Sequence, residues 1–181
     1  MAPEITIRTD RLDLVASTLE HVDTELSNPS GLAGMLGAHV PGSWPPGEYD
    51  RDALNFFLSK LSASPDSAGW YGWYVITRGP GGARESLVAG AGYLGPPSPD
   101  GEVEVGFSVV PEQRGKGYAT EAVRALVEHA LNQSVVDRVI AHTTDANIAS
   151  TAVLLRCGFR RVGAGSESGS VRYELPRSAA P

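Results

Sequence analysis

Val109-Val110-Pro111-Glu112-Gln113-Arg114-Gly115-Lys116-Gly117-Tyr118-Ala119 joins a run of strand-like alternation to a run of helical spacing. Before it, Val103, Val105, Phe107 and Val109 alternate with Glu102, Glu104, Gly106 and Ser108, which is the period of a strand with one apolar face. After it, Ala122, Val123, Leu126, Val127, Ala130 and Leu131 make the apolar stripe of a helix. Gly115 and Gly117 flank Lys116, and glycine lets the backbone turn and approach a ligand where a side chain would block it. The first amides of a helix have no partner within it and sit at its positive end, so they suit a phosphate. Arg114 and Lys116 add two cationic donors. The stretch reads as a pyrophosphate-binding loop.

Three specific readings compete, beside that of an ordinary strand-to-helix turn. A nucleoside-triphosphate loop needs Ser or Thr after its Gly-Lys, and Lys116 is followed by Gly117 and Tyr118. A dinucleotide fingerprint needs a third glycine where Thr120 stands, and an acidic residue closing the next strand, whereas Asp137 precedes the next apolar run. The third pattern, Gln/Arg-x-x-Gly-x-Gly/Ala, is that of a coenzyme A loop, and Gln113 to Ala119 looks like it, with Arg114 in the first position, Gly117 in the fourth and Ala119 in the last.

The 181 residues are 41% apolar and carry a net charge of −6, which suits one compact domain with a real core, 1–181. The acidic balance argues against nucleic acid or an anionic membrane as partner and mildly favours cationic substrates such as amines. Cys157 is the only cysteine, so no disulfide framework is expected and a reducing compartment is. His21, His39, His129 and His142 show no metal-ligand spacing, and no metal is expected. Met1-Ala2-Pro3-Glu4 lacks the features of a signal peptide, and no apolar run nears the ~18 residues of a membrane span. The expectation is a soluble, cytoplasmic protein, monomer or homodimer.

Glu4 to Val15 reads as an extended segment, followed by a helix that Ser17 caps and Glu20 supports. Asn28 to Asp50 is rich in Gly and Pro, and so long a weakly patterned segment suggests a lid or loose order. Helical spacing returns from Asp50 to Leu61. Strands follow at Trp70–Thr77, Leu87–Leu94 and Glu102–Val109. Beyond the loop and its helix, whose Glu121, Arg124 and Glu128 stand placed to pair along the outer face, come a strand at Arg138–Thr143 and a helix at Asn147–Arg156 ended by Gly158. Short strands at Phe159–Val162 and Val171–Leu175 complete the pattern, and 176–181 is expected as a flexible tail. Strands interleaved with helices indicate a mixed α/β sheet.

The loop and its helix, with Asn147-Ile148-Ala149-Ser150 leading to Cys157-Gly158-Phe159, resemble the GNAT superfamily of acetyl-coenzyme A-dependent N-acetyltransferases. Thr9-Asp10-Arg11-Leu12-Asp13-Leu14 and Glu104-Val105-Gly106-Phe107 are similar to its Rim-type branch, named for ribosomal-protein N-terminal acetylation. The resemblance covers about Leu87 to Leu175 and the first fifteen residues, and says little of Asn28 to Trp70. It implies an α+β fold: a mostly antiparallel twisted sheet, a V-shaped splay between two parallel central strands, and helices on both faces. It implies that Val109 and Val110 offer backbone groups to the pantetheine arm of acetyl-CoA. Gln113, Arg114, Gly115, Lys116, Gly117, Tyr118 and Ala119 would hold the diphosphate, and Asn147 would bond the pantetheine. Residues 28–70 would form a variable acceptor-side segment. Glu104 would be the general base, directly or through water, although Glu102 offers the same chemistry on the same face. Ser150 would face the departing thiolate, replacing the tyrosine that many relatives carry at the position of Leu154.

Only a neutral amine attacks a thioester. Deprotonation at neutral pH costs about 1 kcal/mol for an α-amine of pKa ~7.7–8.0 and about 4.6 kcal/mol for a lysine of pKa ~10.4. One carboxylate base suits the first better, which favours an α-amine or another weakly basic acceptor. Asn147 and Ser150 also read simply as a helix cap and its first turn. Cys157 reads as buried, and His142 as a satisfied core or edge residue. Trp44, Trp70 and Trp73 read as core or as the lining of an acceptor groove. A coenzyme A-binding sensor of the same fold, without turnover, is the alternative from another class.

Overall fold

The computed structural model describes residues 3–180; Met1, Ala2 and the last tail residue, Pro181, lie outside the described residues. The strands are β1 (Thr6–Arg8), β2 (Leu12–Ala16), β3 (Gly72–Arg78), β4 (Arg84–Tyr93), β5 (Glu102–Val109), β6 (Arg138–Thr144), β7 (Arg160–Ala164) and β8 (Ser170–Pro176). The helices are α1 (Leu19–Ser27), α2 (Leu32–Leu36), α3 (Arg51–Ala63), α4 (Tyr118–Leu131) and α5 (Ile148–Arg156). The strands form one sheet in the order β1-β2-β3-β4-β5-β6-β8-β7, antiparallel at every junction but β5–β6. This is the mixed α/β architecture that the sequence pattern implied.

Alternation along the strands sends side chains to two separate cores. Leu12, Leu14, Trp73, Val75, Val103 and Val105 pack with α4 and α5 through Val123, Leu126 and Leu154. Their neighbours Val15, Tyr74 and Ile76 face the other way, against Leu32 and Leu36 of α2. Val22, Leu54, Phe57 and Leu61 join α1 to α3 on that second side. Trp73 is fully buried, and Trp70 packs on Tyr93 at a ring-centroid distance of 5.2 Å.

Several boundaries differ from the sequence reading for identifiable reasons. The first extended segment is a hairpin, β1–β2, because Arg78 of β3 donates to the carbonyls of Thr9 and Asp10 and holds the chain in a turn. The cap of α1 is Thr18, with His21 completing the box in place of Glu20; Ser17 is buried and bonds the Gly72 carbonyl. Asn28 to Asp50 is ordered: it contains α2, and the His39 backbone pairs with β4 through Glu85 and Leu87. Glu121 pairs with Arg11 rather than along its own helix. Residues 176–180 are tied down, because Arg177 donates to the carbonyls of Leu131, Gln133 and Val136.

Asp13 of β2, 1% exposed, lies among the guanidiniums of Arg8, Arg78 and Arg84 at 3.0, 3.0 and 3.1 Å. Burial works to raise its pKa, and the three arginines together outweigh it, so the carboxyl titrates below the ordinary aspartate range. Its contribution to stability is therefore present above ~3.9 and lost as pH falls through the lower folded value. Asp13→Ala leaves three cations facing one another, two of them mostly buried, and is expected to cost about 3–5 kcal/mol in chemical denaturation. Asp13→Asn should flatten the acid side of the stability–pH curve.

Candidate active site

The parallel ladder between β5 and β6 is short. It pairs Glu102 with Arg138, Val103 with Val139 and Glu104 with Ile140, and stops there. Beyond Glu104, β5 stays bonded to β4 as far as Val109, while β6 stays bonded to β8 as far as Thr144. The two strands thus part at Glu104. On the β4 side, Leu94 N–H bonds the Glu104 carbonyl and Val110 N–H bonds the Val88 carbonyl. By alternation, the backbone groups of Val105, Phe107 and Val109 point the other way, towards β6; the last ladder pair engages Val105, and those of Phe107 and Val109 face the gap.

This geometry corrects one expectation. Val110 offers no free group, since its amide serves Val88 and its carbonyl accepts from Gln113 N–H. Val109 keeps its amide on the open side, while its carbonyl accepts from Arg114 Nε at 3.1 Å. Phe107, which sequence reasoning passed over, occupies the equivalent position one pleat back; counting the alternation from a known bonded pair would have found it.

The loop after β5 has the shape its glycines require. Gly115 and Gly117 have φ of 74° and 83°, in the left-handed region that a side chain disfavours. No side chain caps α4, and the first amide to bond back is that of Glu121, to the Gly117 carbonyl. The amides of Tyr118 and Ala119 are therefore presented at the positive end of a 14-residue helix. Lys116 Nζ bonds Gln113 Oε1 at 2.8 Å, so Gln113 steadies the lysine from within the loop.

Arg11, in the β1–β2 turn, braces this loop from outside. Its Nη1 donates to the Lys116 carbonyl at 2.9 Å, its Nε to Glu121 at 2.7 Å, and its guanidinium lies over the Tyr118 ring. Thr9 adds a bond to the same glutamate. The sequence signalled these residues only as part of a family-like stretch, without a role.

Two glutamates on one face of β5 are separated by their partners. Glu102 is taken up by Arg172 at 2.7 Å, with Arg138 at 3.8 Å. Glu104 meets neither; its Oε1 lies 2.7 Å from His142 Nδ1 on β6. Next to Glu104 on the same face is Gly106, exposed, with no heavy atom within 4 Å of where a Cβ would stand. Then come Ser108, against which Gly47 lies, and Gly90 of β4, against which Tyr49 lies. Segment 28–70 thus packs on the face that carries Glu104, and Ser43 Oγ bonds Glu112 at the entrance to the loop.

Asn147 caps α5, its Oδ1 accepting from Ser150 N–H at 3.1 Å. Ser150 is half-buried, and Leu154, at the position of the tyrosine in many relatives, is 1% exposed in the core. Cys157 is buried, its thiol pushed up to about 11, so it is not a nucleophile at neutral pH. Among the described residues no three His, Cys, Asp or Glu side chains gather as a metal site, and no helix is long and apolar enough to cross a membrane.

Residues 12–160 match the profile of the acetyltransferase (GNAT) domain. The chain belongs to the GNAT acetyltransferase family. It is 27% identical over 155 residues to the uncharacterized N-acetyltransferase YjdG of Bacillus subtilis (strain 168), covering 86% of this chain and 89% of that protein. The ribosomal-protein-S5-alanine acetyltransferase of Vibrio fischeri superposes with a TM-score of 0.63 at 15% identity, over 98% of this GNAT chain and 99% of the other. The microcin C7 self-immunity acetyltransferase MccE, solved with acetyl-CoA and AMP, gives a TM-score of 0.60 at 15% identity over 93% of each chain. At such identities the two structures establish the fold.

Arg11→Ala removes three links to the loop at once. Because Arg11 is half exposed, the expected cost to global stability is small, about 1 kcal/mol. The local effect is larger: amide exchange at Lys116 to Glu121 should speed up by at least 10-fold, read by hydrogen-exchange mass spectrometry.

Proposed function

We propose that this GNAT acetyltransferase moves the acetyl group of acetyl-CoA directly to a primary amine: the α-amine of a protein or peptide N-terminus, or a small-molecule amine. The observation that carries the reading is the end of the β5–β6 ladder at Glu104, beside a glycine loop whose helix amides have no cap. The amides of Phe107 and Val109 suit the pantetheine arm, which pairs as an added strand would. Gly115, Gly117, Tyr118 and Ala119 supply backbone donors for the diphosphate, with Arg114 and Lys116 as its cations. Asn147 caps α5 through its oxygen, which leaves its amide nitrogen for the pantetheine. That MccE holds acetyl-CoA on this fold supports the same cosubstrate here.

The carboxylate of Glu104 serves to remove the amine's proton, a part for which Glu102, held by Arg172, is unsuited. The freed amine attacks the thioester, whose carbonyl is polarised by a backbone amide at the splay. Ser150 donates a hydrogen bond to the thiolate that leaves. The chain acts as one domain, and its 28–70 segment forms the acceptor side, bordering the bare patch of sheet at Gly106. The preference for an α-amine rests on its lower deprotonation cost, and kinship with ribosomal-protein acetyltransferases of the same fold makes a Rim-type role the first to test.

Acetyl transfer to a panel of peptides with free N-termini, lysine side chains and small amines tests this. Glu104→Gln is expected to lower kcat/KM by about 10²–10⁴ while leaving coenzyme binding intact. Ser150→Ala should cost about 10-fold, the worth of one hydrogen bond to a charged group. Full turnover in both variants defeats the assignment. Tight coenzyme binding with no acetylation of any amine would instead make the protein a sensor.

A further inference from the structure

Glu104 does not face the open splay alone. The parallel register sets it level with Ile140, yet its carboxylate bonds His142, two residues further along β6 and past the last ladder pair. The side chains are 28% and 15% exposed. The other charged groups around the ring are committed elsewhere. Arg172, level with His142 on β8, is held by Glu102 and Glu174; Arg138 leans on Glu102. The β7–β8 turn presses Gly165 on the ring, where a Cβ would come within 2.8 Å of Cδ2. Nε2 makes no hydrogen bond to the chain among the described residues.

The geometry points to His142 as the group that takes the acceptor's proton, with Glu104 acting through it. This rests on the acetyl-transfer reading and refines the part of Glu104 within it. A carboxylate at Nδ1 fixes the tautomer with its hydrogen there and the lone pair on Nε2. It also stabilises the imidazolium that forms, as in other carboxylate–histidine bases. Imidazole is the better match in general: its ordinary pKa of ~6.5 lies within about 1.5 units of an α-amine, while a glutamate at ~4.3 is far below. An N–H bond of the ammonium breaks as Nε2 forms its own, and the freed nitrogen pair attacks the thioester carbon. The second nitrogen proton goes to the coenzyme thiolate as the C–S bond breaks. The imidazolium then returns its proton to solvent, one per turnover.

His142→Asn tests this without removing the bond to Glu104, because the asparagine nitrogen can stand near Nδ1 while nothing replaces Nε2. Acetylation of an N-terminal peptide is expected to fall at least 100-fold, with melting temperature and coenzyme binding held. In His142→Ala, added imidazole should restore part of the activity, with a pH dependence that follows the pKa of the imidazole supplied. If His142→Asn stays within 3-fold of wild type while Glu104→Gln is inactive, Glu104 works without the histidine; the inference fails and the acetyl-transfer reading stands. Wild-type turnover in both variants overturns the inference and the role of Glu104 together, while the acetyl-transfer reading stands; no acetylation by the wild-type protein overturns that reading itself.

Discussion

The parallel pairing of β5 with β6 lasts three residues and ends at Glu104 and Ile140. The two strands part from that point on. A sheet strand normally uses both rows of its backbone groups, and a buried unpaired amide is costly. Here one row of β5 remains bonded to β4, while the other, past the last ladder pair at Phe107 and Val109, has no strand beside it in the sheet. The same divergence opens space between two side chains on the same face, Glu104 and His142, which bridge the strands just where the backbone ceases to. One departure from regular pairing thus leaves both an unpaired stretch of β5 edge and a carboxylate–imidazole pair at its apex.

The glycine loop depends on support from the other end of the chain. Asp13 orients Arg78; Arg78 holds the carbonyls of Thr9 and Asp10; the resulting turn carries Arg11 to the Lys116 carbonyl and to Glu121. The order runs from a buried ion cluster outward to an exposed loop. Left-handed glycines make the loop's path possible, but they also raise the entropy lost on ordering it. Arg11 and Thr9 offset that loss by fixing the first turn of α4 against a rigid hairpin. Donors already held in place spend little of any binding energy on ordering.

Electrostatics then sorts residues that look alike. Glu102 and Glu104 share a strand face and a chemistry, yet Arg172 and Arg138 engage the first and a histidine the second. The guanidiniums take up a carboxylate oxygen of Glu102, while Glu104 meets no cationic side chain among the described residues but that imidazole. A third carboxylate, Glu25, shows the opposite limit. It is buried beside the 28–70 segment, accepting from Trp44 and Tyr74, and burial raises its pKa. Its surroundings make it a structural hub for the second core.

Local physics governed what was legible along the chain. The strand Glu102–Val109, the glycine loop and the helix after it follow from alternation, positive-φ glycines and a helical stripe, all of which act within about thirty residues and need no distant partner. The cap at Asn147 and the stop at Gly158 were readable for the same reason. The capping position of α1 slipped by one because the Gly72 carbonyl claims Ser17, and α2 was missed because five residues carry too little periodicity. Tertiary structure alone decided that Val110 is engaged, that Arg11 braces the loop from 110 positions away, and that His142, 38 residues beyond Glu104, meets its carboxylate. These outcomes depend on which strands lie side by side and where their pairing ends, and no single-strand pattern encodes that.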